Sequence, residues 1–341
     1  ASLLNCENSV NINIKQIVNH DLATNIKPGI GGLVGALSYH QRTDKSRVLA
    51  AFANCTNYGN LSIENGTYQE GDTTGYIQNN IGGCLGIQFL NNYTTFENIV
   101  NLGNITVNAR FLTQTANIAG VVAWCYSKAG TSLHNYGNIT WNSKDIDVVR
   151  IGGVIGLLPK DNTNGSFASH LYNHGDIKVN DDIKINGKFL VAGCVAEHED
   201  EVTLGKISNC ENNGNITIDA DMNDNDSVFR IAGIISYSRA ETSDLVNNGN
   251  ITISSRLYNA DANAYMLCVA GVVAYKGTKA ITNAKNTGDI TFSGSIETSS
   301  GATTAVKDAC RLNLGGLLGF GNGVCGSELY NEGDITIDQV K

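Results

Sequence analysis

The chain has 341 residues, of which 42% are hydrophobic and only 16% charged, and its formal net charge is −9. This composition argues against disorder, which needs low hydrophobicity with high net charge, and against a nucleic-acid-binding surface, which needs a basic stripe. The apolar runs are too short to span a bilayer. The 38 glycines and 2 prolines indicate a β-rich chain with tight turns, where glycine and asparagine accept positive φ.

In chain order, the first predicted element is a turn followed by a strand, with the pattern N-x-G-[N/D]-[I/L]-x-apolar. A degenerate copy, CENSVNINI, spans 6–14, and the complete copies recur at steps of 34 to 45 residues. Their turn glycines are Gly59, Gly103, Gly137, Gly175, Gly214, Gly249, Gly288 and Gly333. Because ASLLNCENSV already belongs to this pattern and no export signal precedes it, we expect a mature or trimmed part of a longer protein, anchored if at all through a missing N-terminal part.

The second predicted element, [I/V/L]-[G/A]-G followed by two apolar residues, alternates with the first. It reads IGGLVG at 30–35, IGGCLG at 81–86, IAGVVA at 118–123, IGGVIG at 151–156, VAGCVA at 191–196, IAGIIS at 231–236, VAGVVA at 269–274 and LGGLLG at 314–319. A third short strand precedes each N-x-G turn, and no stretch has a helical period. Units that cannot bury their own apolar face must stack. We therefore predict an all-β, single-domain right-handed parallel β-helix (solenoid) of about eight to nine three-strand coils over 1–341.

Stacking places the equivalent residues of successive coils in columns along the rod, and each column is either buried or exposed as a whole. The asparagine two residues before each turn glycine predicts a ladder of side-chain hydrogen bonds. Ile216 and Ile218 are predicted to point inward, and Asn215 and Thr217 outward. Both columns after the second glycine, such as 154–155, are apolar. Either the glycine pair kinks the strand so that both fill the core, or loops or a partner cover this face.

The nine cysteines are interpreted mainly as small core residues. Five occupy columns that are aliphatic in other coils: Cys6, Cys55, Cys84, Cys194 and Cys210. Cys310 and Cys325 are candidates for a disulfide, and the absence of C-x-x-C argues against structural zinc.

The segment 219–226, DADMNDND, begins like a calcium-binding loop. Its candidate ligands are Asp219, Asp221, Asn223 and Asp226. Because the sixth-position glycine and the closing glutamate are missing, a solvated loop is the main interpretation and calcium the alternative; no other cofactor is predicted. The segment EHEDE at 197–201 is interpreted as another acidic loop.

A β-helix polysaccharide lyase or hydrolase would bring two carboxylates and a basic residue together over a cleft. No predicted column pairs them in this way, so we predict that the chain is not an enzyme. Exposed aromatic residues would instead support ligand binding. The candidates are Tyr58, Tyr136 and His174 at the N-x-G turn, and Trp124, Tyr237 and Tyr275 four residues after the second glycine. The last three alternatively belong to the core.

The alternation of G-G-[L/V/I]-[V/I/L]-G with N-x-G-[N/D]-[I/L]-x-[I/V] over 6–337 resembles the GLUG-type repeats of large bacterial surface proteins. Such repeats occur in the N-terminal regions of immunoglobulin A1-cleaving metallopeptidases, and the pattern looks closest to surface lipoproteins of gut Bacteroidetes. The units here are longer, carry N-x-G-N-I-T-I in place of a tyrosine-bearing segment, and lack the peptidase motif H-E-x-x-H.

The resemblance implies a secreted or surface-anchored β-helix used for adhesion or ligand presentation, and it supplies no catalytic residues. We therefore expect a non-enzymatic, extracellular or cell-surface solenoid that binds a glycan or a host or cell-surface protein. The alternatives are a carbohydrate-active β-helix enzyme and a structural spacer or stalk in a larger surface assembly.

Overall fold

The computed structural model describes residues 2–15, 17–18, 29–37, 50–64, 66–67, 78–88, 94–108, 115–126, 131–143, 146–159, 167–180, 183–199, 205–220, 222–223, 228–259, 266–298, 311–322 and 326–338. In these ranges the regular structure is all β-strand, and no helix of the length and apolarity needed to cross a bilayer occurs. The strands pair in parallel with the equivalent strands of the coils before and after them. The chain is thus a right-handed parallel β-helix, which confirms the predicted fold.

Three large sheets run along the rod. The sheet that ends in the N-x-G asparagines, called the asparagine sheet, contains β1 (Leu3–Leu4), β2 (Glu7–Asn8), β7 (Ala50–Asn57), β12 (Thr94–Asn101), β16 (Thr131–Asn135), β20 (Phe167–Asn173), β24 (Lys206–Asn212), β29 (Glu241–Asn247), β33 (Ile281–Asn286) and β37 (Gly326–Asn331). The sheet that follows the second glycines, called the glycine sheet, contains β6 (Val34–Leu37), β11 (Leu85–Gln88), β15 (Val122–Cys125), β19 (Ile155–Leu158), β23 (Val195–His198), β28 (Ile235–Ser238), β32 (Val273–Lys276) and β36 (Leu318–Gly321).

The remaining strands belong to an 18-stranded sheet, called the long sheet, and to one two-stranded pair. The long sheet contains β3 (Ile12–Ile14), β5 (Gly29–Gly31), β8 (Leu61–Glu64), β10 (Gln78–Gly82), β13 (Ile105–Asn108), β14 (Thr115–Ala119), β17 (Ile139–Trp141), β18 (Ile146–Gly152), β21 (Ile177–Asn180), β22 (Ile183–Ala192), β25 (Ile216–Asp219), β26 (Met222–Asn223), β27 (Val228–Ala232), β30 (Ile251–Asn259), β31 (Met266–Ala270), β34 (Ile290–Thr298), β35 (Arg311–Gly315) and β38 (Ile335–Asp338). The pair is β4 (Ile17–Val18) with β9 (Gly66–Thr67).

The diglycine motif is a kink between two strands. One strand ends at its first glycine or alanine, as β18 ends at Gly152, and the next begins two residues after the second glycine, as β19 begins at Ile155. The rod contains two large hydrophobic clusters, and the one that lies between the asparagine sheet and the glycine sheet is called the main core. Both apolar columns after the kink, here Val154 and Ile155, are fully buried in it. The kink is therefore the correct one of the two predicted explanations.

The second glycine of each pair packs directly against the asparagine ladder. A Cβ on Gly193 would lie 2.1 Å from the carbonyl oxygen of Gly233 and 2.3 Å from Cγ of Asn212. No other side chain fits at this approach distance. None of the second glycines of the eight pairs adopts left-handed backbone, so close approach and not positive φ is what requires glycine here.

The predicted ladder is present from Asn8 to Asn331. Each side-chain amide donates to the carbonyl of the turn glycine or its equivalent two residues on, and each from Asn8 to Asn286 also donates to Oδ1 of the asparagine in the next coil, at 2.7–2.9 Å. The seven interior members are buried: Asn57, Asn101, Asn135, Asn173, Asn212, Asn247 and Asn286. Buried amides with both hydrogens bonded fix the register of successive coils.

Left-handed backbone occurs instead three residues before each ladder asparagine. The residues with φ between 49° and 70° are Asn5, Asn54, Asn98, Ser132, His170, Asn209, Asp244, Asn283 and Glu328. In the pairing of β12 with β7, Glu97 faces Ala53 and Ile99 faces Cys55. The left-handed residues between them, Asn98 and Asn54, are left out of the strand pairing. Inward residues consequently recur after three positions, as in the buried pair Phe96 and Ile99.

The inward and outward assignments of the N-I-T-I strand are confirmed. Ile216 and Ile218 are fully buried, whereas Asn215 is exposed and Thr217 partly exposed. The five predicted core cysteines also pack with the main core, and none of the seven described cysteines forms a disulfide with another described one. Cys310 and Cys325 lie outside the described residues, so their pairing stays a prediction.

Candidate functional site

The turn residues named from the sequence lie on the exposed edge of the rod. Tyr58 and Tyr136 are 49% and 48% exposed, and His174 is partly exposed. Each backbone N–H donates to the ladder asparagine carbonyl of the preceding coil, at 2.7–2.8 Å. The ladder therefore holds the backbone beneath these side chains in a fixed place.

Four aromatic rings on this edge form one stacked group, called the edge stack: His134, Tyr136, Tyr172 and His174. The rings of Tyr136 and His174 are 4.4 Å apart and 8° from parallel, and those of His134 and Tyr172 are 4.6 Å apart and 15° from parallel. These spacings are close to the distance between paired strands, because each pair spans adjacent coils in register. Ring faces within each pair cover one another, so a ligand meets mainly ring edges and polar atoms.

Hydrogen bonds fix the two imidazoles of the edge stack. His174 Nδ1 accepts from the Asn213 amide at 3.3 Å, and Nε2 of His134 lies 2.9 Å from the Ser132 hydroxyl. Burial, and then the neighbouring His174, lower the pKa of His134. Both influences favour the uncharged form of the His134 ring.

Beyond His174 the same column becomes a row of hydrogen-bonding side chains. Asn248 donates to Asn213 Oδ1 at 2.8 Å, and Thr287 donates to Asn248 Oδ1 at 2.8 Å. The edge therefore offers aromatic rings over two coils and amide and hydroxyl groups over the next three. Such a strip suits a ligand with many hydroxyl or amide groups.

The other three aromatic candidates lie on a different part of the surface, which we call the outer corner. It is formed where the outward-facing side chains of the strands before and after the diglycine kink meet. Two columns form it: Asn80, Asn117, Arg150, Leu190, Arg230, Cys268 and Asn313 from the long sheet, and Ile87, Trp124, Leu157, Glu197, Tyr237, Tyr275 and Phe320 from the glycine sheet. Trp124 and Tyr237 are buried in small clusters apart from the main core, and Tyr275 is partly exposed.

Glu197 and its partners were missed by sequence analysis, which placed EHEDE in a loop. That interpretation is wrong for its first two residues, because Glu197 and His198 end β23 and are fully buried. Glu197 Oε2 accepts from Arg150 Nε, and Oε1 accepts from Lys188 Nζ at 2.7 Å. Burial alone would raise the pKa of Glu197, but the two cations outweigh it and leave the pKa lowered.

Glu199 completes this group of charges. It lies 3.4 Å from Arg150, and burial, followed by repulsion from Glu197, raises the pKa of Glu199. Two carboxylates of different pKa are a common acid–base arrangement. Here, however, both oxygens of Glu197 are engaged in ion pairs and its side chain has no exposed surface, so the pair is arranged to neutralise the buried Arg150.

The remaining candidates concern metal binding. Asp219 is exposed at the end of β25 and Asn223 belongs to β26, whereas Asp221 and Asp226 lie outside the described residues. Within the described ranges no three His, Cys, Asp or Glu side chains gather closely enough to hold a metal ion. Calcium binding by this segment stays a prediction.

Comparison of the chain with protein-family models, with curated proteins and with solved structures finds no match.

Proposed function

We propose that the chain is a non-enzymatic solenoid of the cell surface or extracellular space that binds a glycan or protein ligand along its edge. The observation that carries this proposal is the edge stack, in which the exposed ring of Tyr136 and three partly exposed rings are held on paired strands by a buried hydrogen-bond ladder. Rings that are already stacked lose little conformational entropy when a ligand binds, and sites on strands are positioned more accurately than sites on loops. The resemblance to GLUG-type surface repeats supports the same location and role.

A binding array of glycans and extracellular-matrix proteins tests the proposal. The wild type should bind a subset of the array, and the double variant Tyr136→Ala/His174→Ala should lose most of that binding. Tyr330→Ala is the matched control, because Tyr330 is 57% exposed on the same sheet but lies in the last coil, away from the stack.

The outcomes distinguish the proposed ligand-binding function from the alternative of a spacer or stalk. If the wild type binds nothing on the array, the ligand-binding role fails and the spacer or stalk becomes the better explanation. If the double variant binds as well as the wild type, ligand binding stands but the edge stack is not the site.

A further inference from the structure

Arg230 in the outer corner is held in an unusual environment for a cation. Its guanidinium carbon lies 4.4 Å from the ring centre of Tyr237 and 4.0 Å from that of Tyr275, and the two ring centres are 5.4 Å apart. Contact with two aromatic rings fixes the guanidinium plane through cation–π attraction. Arg230 and Tyr275 are both partly exposed, so this cation borders solvent.

No carboxylate among the described residues is bonded to Arg230. Its Nε is buried and has no hydrogen-bond partner in the described part of the chain. The nearby Glu197 is already bound by Arg150 and Lys188. A partly buried guanidinium without a hydrogen-bonded anion is costly, and burial accordingly lowers the pKa of Arg230.

The surrounding charge reinforces this imbalance. Among the described side chains of the outer corner, the three cations Arg150, Lys188 and Arg230 face two carboxylates, Glu197 and Glu199. Their sum of +1 contrasts with the −9 of the whole chain. Arg239 lies 5.4 Å from the ring centre of Tyr237, so two guanidinium groups approach one tyrosine. A local excess of oriented positive charge in an acidic protein favours an anionic ligand.

We propose that Arg230 is the anchor of a binding site for a carboxylate group, supplied by a uronic acid residue of a glycan or by an acidic side chain of a peptide. The planar guanidinium fork matches a carboxylate in two parallel hydrogen bonds. The outer corner lies on a different face from the edge stack, so this site does not depend on the proposed function.

Calorimetric titration with paired probes tests the site and distinguishes the two sources. Trigalacturonic acid is compared with its methyl ester, and the end-blocked peptide Gly-Glu-Gly with Gly-Gln-Gly. The wild type should bind at least one acid probe, and bind the uncharged counterpart at least about tenfold more weakly, the loss expected for a charge-assisted pair. Arg230→Gln should lower the affinity for that probe by at least about tenfold. Lys285→Gln, which makes the same charge change on the asparagine sheet, should leave it unchanged.

Either of two results would overturn the site: wild-type protein that does not prefer the acid probes, or Arg230→Gln protein that binds them as the wild type does. Because Arg230→Gln could impair folding, tyrosine difference absorption of the wild type provides an independent measurement. The acid probe should perturb the spectrum of Tyr237 and Tyr275 and the uncharged probe should not. Identical spectra with both probes would reject the proposal.

Discussion

At the scale of single residues, two residue types make the repeat, and only one was understood from the sequence. The buried asparagine ladder follows directly from an asparagine at the same position of every coil, since an amide can both donate and accept along the stack. The role of glycine did not follow. Its repeated presence was attributed to positive φ, whereas the structure places Gly193 and its equivalents against a neighbouring carbonyl and the ladder.

Left-handed backbone is carried by asparagine or aspartate in six of nine coils, at Asn5, Asn54, Asn98, Asn209, Asp244 and Asn283. These residues tolerate that conformation better than most. The signal was thus present in the sequence, one residue before the inward column, but it was hidden by the more regular N-x-G pattern.

The ladder makes a prediction about stability. Asn173→Ala should lower the free energy of unfolding by about 3 kcal/mol, because it leaves Asn135 Nδ2, Asn212 Oδ1 and the Gly175 carbonyl without their partners inside the rod. Chemical denaturation measures the change. The control is Asn215→Ala: the Asn215 side chain is exposed and accepts from Asn250 N at 3.0 Å, and since water can replace that bond the loss should stay below about 1 kcal/mol. Equal losses in the two variants would contradict a buried, cooperative ladder.

At the scale of elements, the alternation of inward and outward side chains correctly predicted which residues of the N-I-T-I strand are buried. The same rule was misleading at the diglycine strand. A simple strand would expose one of two adjacent apolar columns, but the kink turns both inward. The repeat aligns carboxylates and bases only within single columns, whereas Arg150 and Glu197 occupy different strands and meet across the kink. Their ion pair was therefore not predictable from any one column. A charged residue two positions before a diglycine pair was the available signal.

The two sides of the N-I-T-I strand should respond oppositely to a charge. Ile216→Asp should destabilise the rod by more than about 3 kcal/mol, because it buries a carboxylate without a partner. Thr217→Asp should change stability by less than about 0.5 kcal/mol, since Thr217 is partly exposed and is paired in register with Lys178. Thermal unfolding of both variants checks the prediction, and a larger loss for Thr217→Asp would reverse the inward and outward assignment.

At the scale of the whole molecule, each coil contacts mainly its two neighbours, so stability should depend on complete coils. Deletion of residues 250–288 removes one coil, joins Gly249 to Asp289 and brings Asn247 opposite Asn331. Every remaining ladder contact is therefore still a hydrogen bond between two asparagines. We expect this shorter rod to fold and to unfold cooperatively. Deletion of 250–269 joins Gly249 to Ala270 and breaks the alternation of the two motifs, so it should not fold. Circular dichroism and thermal melts distinguish the two, and a folded half-coil deletion would contradict the stacking argument.

The sequence therefore predicted the repeating coil well and the candidate sites poorly, for one physical reason. Periodic positions such as the ladder asparagines report on contacts that recur in every coil. The contacts of Arg230 and of the edge stack occur once, where the copies differ, and depend on which columns meet in space.

The ladder also gives the rod an electrical direction. Every ladder hydrogen bond between coils runs from the Nδ2 of one asparagine to the Oδ1 of the asparagine in the next coil toward the C-terminal end, from Asn8 to Asn331. The side-chain amide dipoles are therefore aligned head to tail, as peptide units are in an α-helix, with the negative end at the first coil and the positive end at the last. A cationic group is consequently favoured beside the first coil and an anionic group beside the last, whichever molecule supplies it.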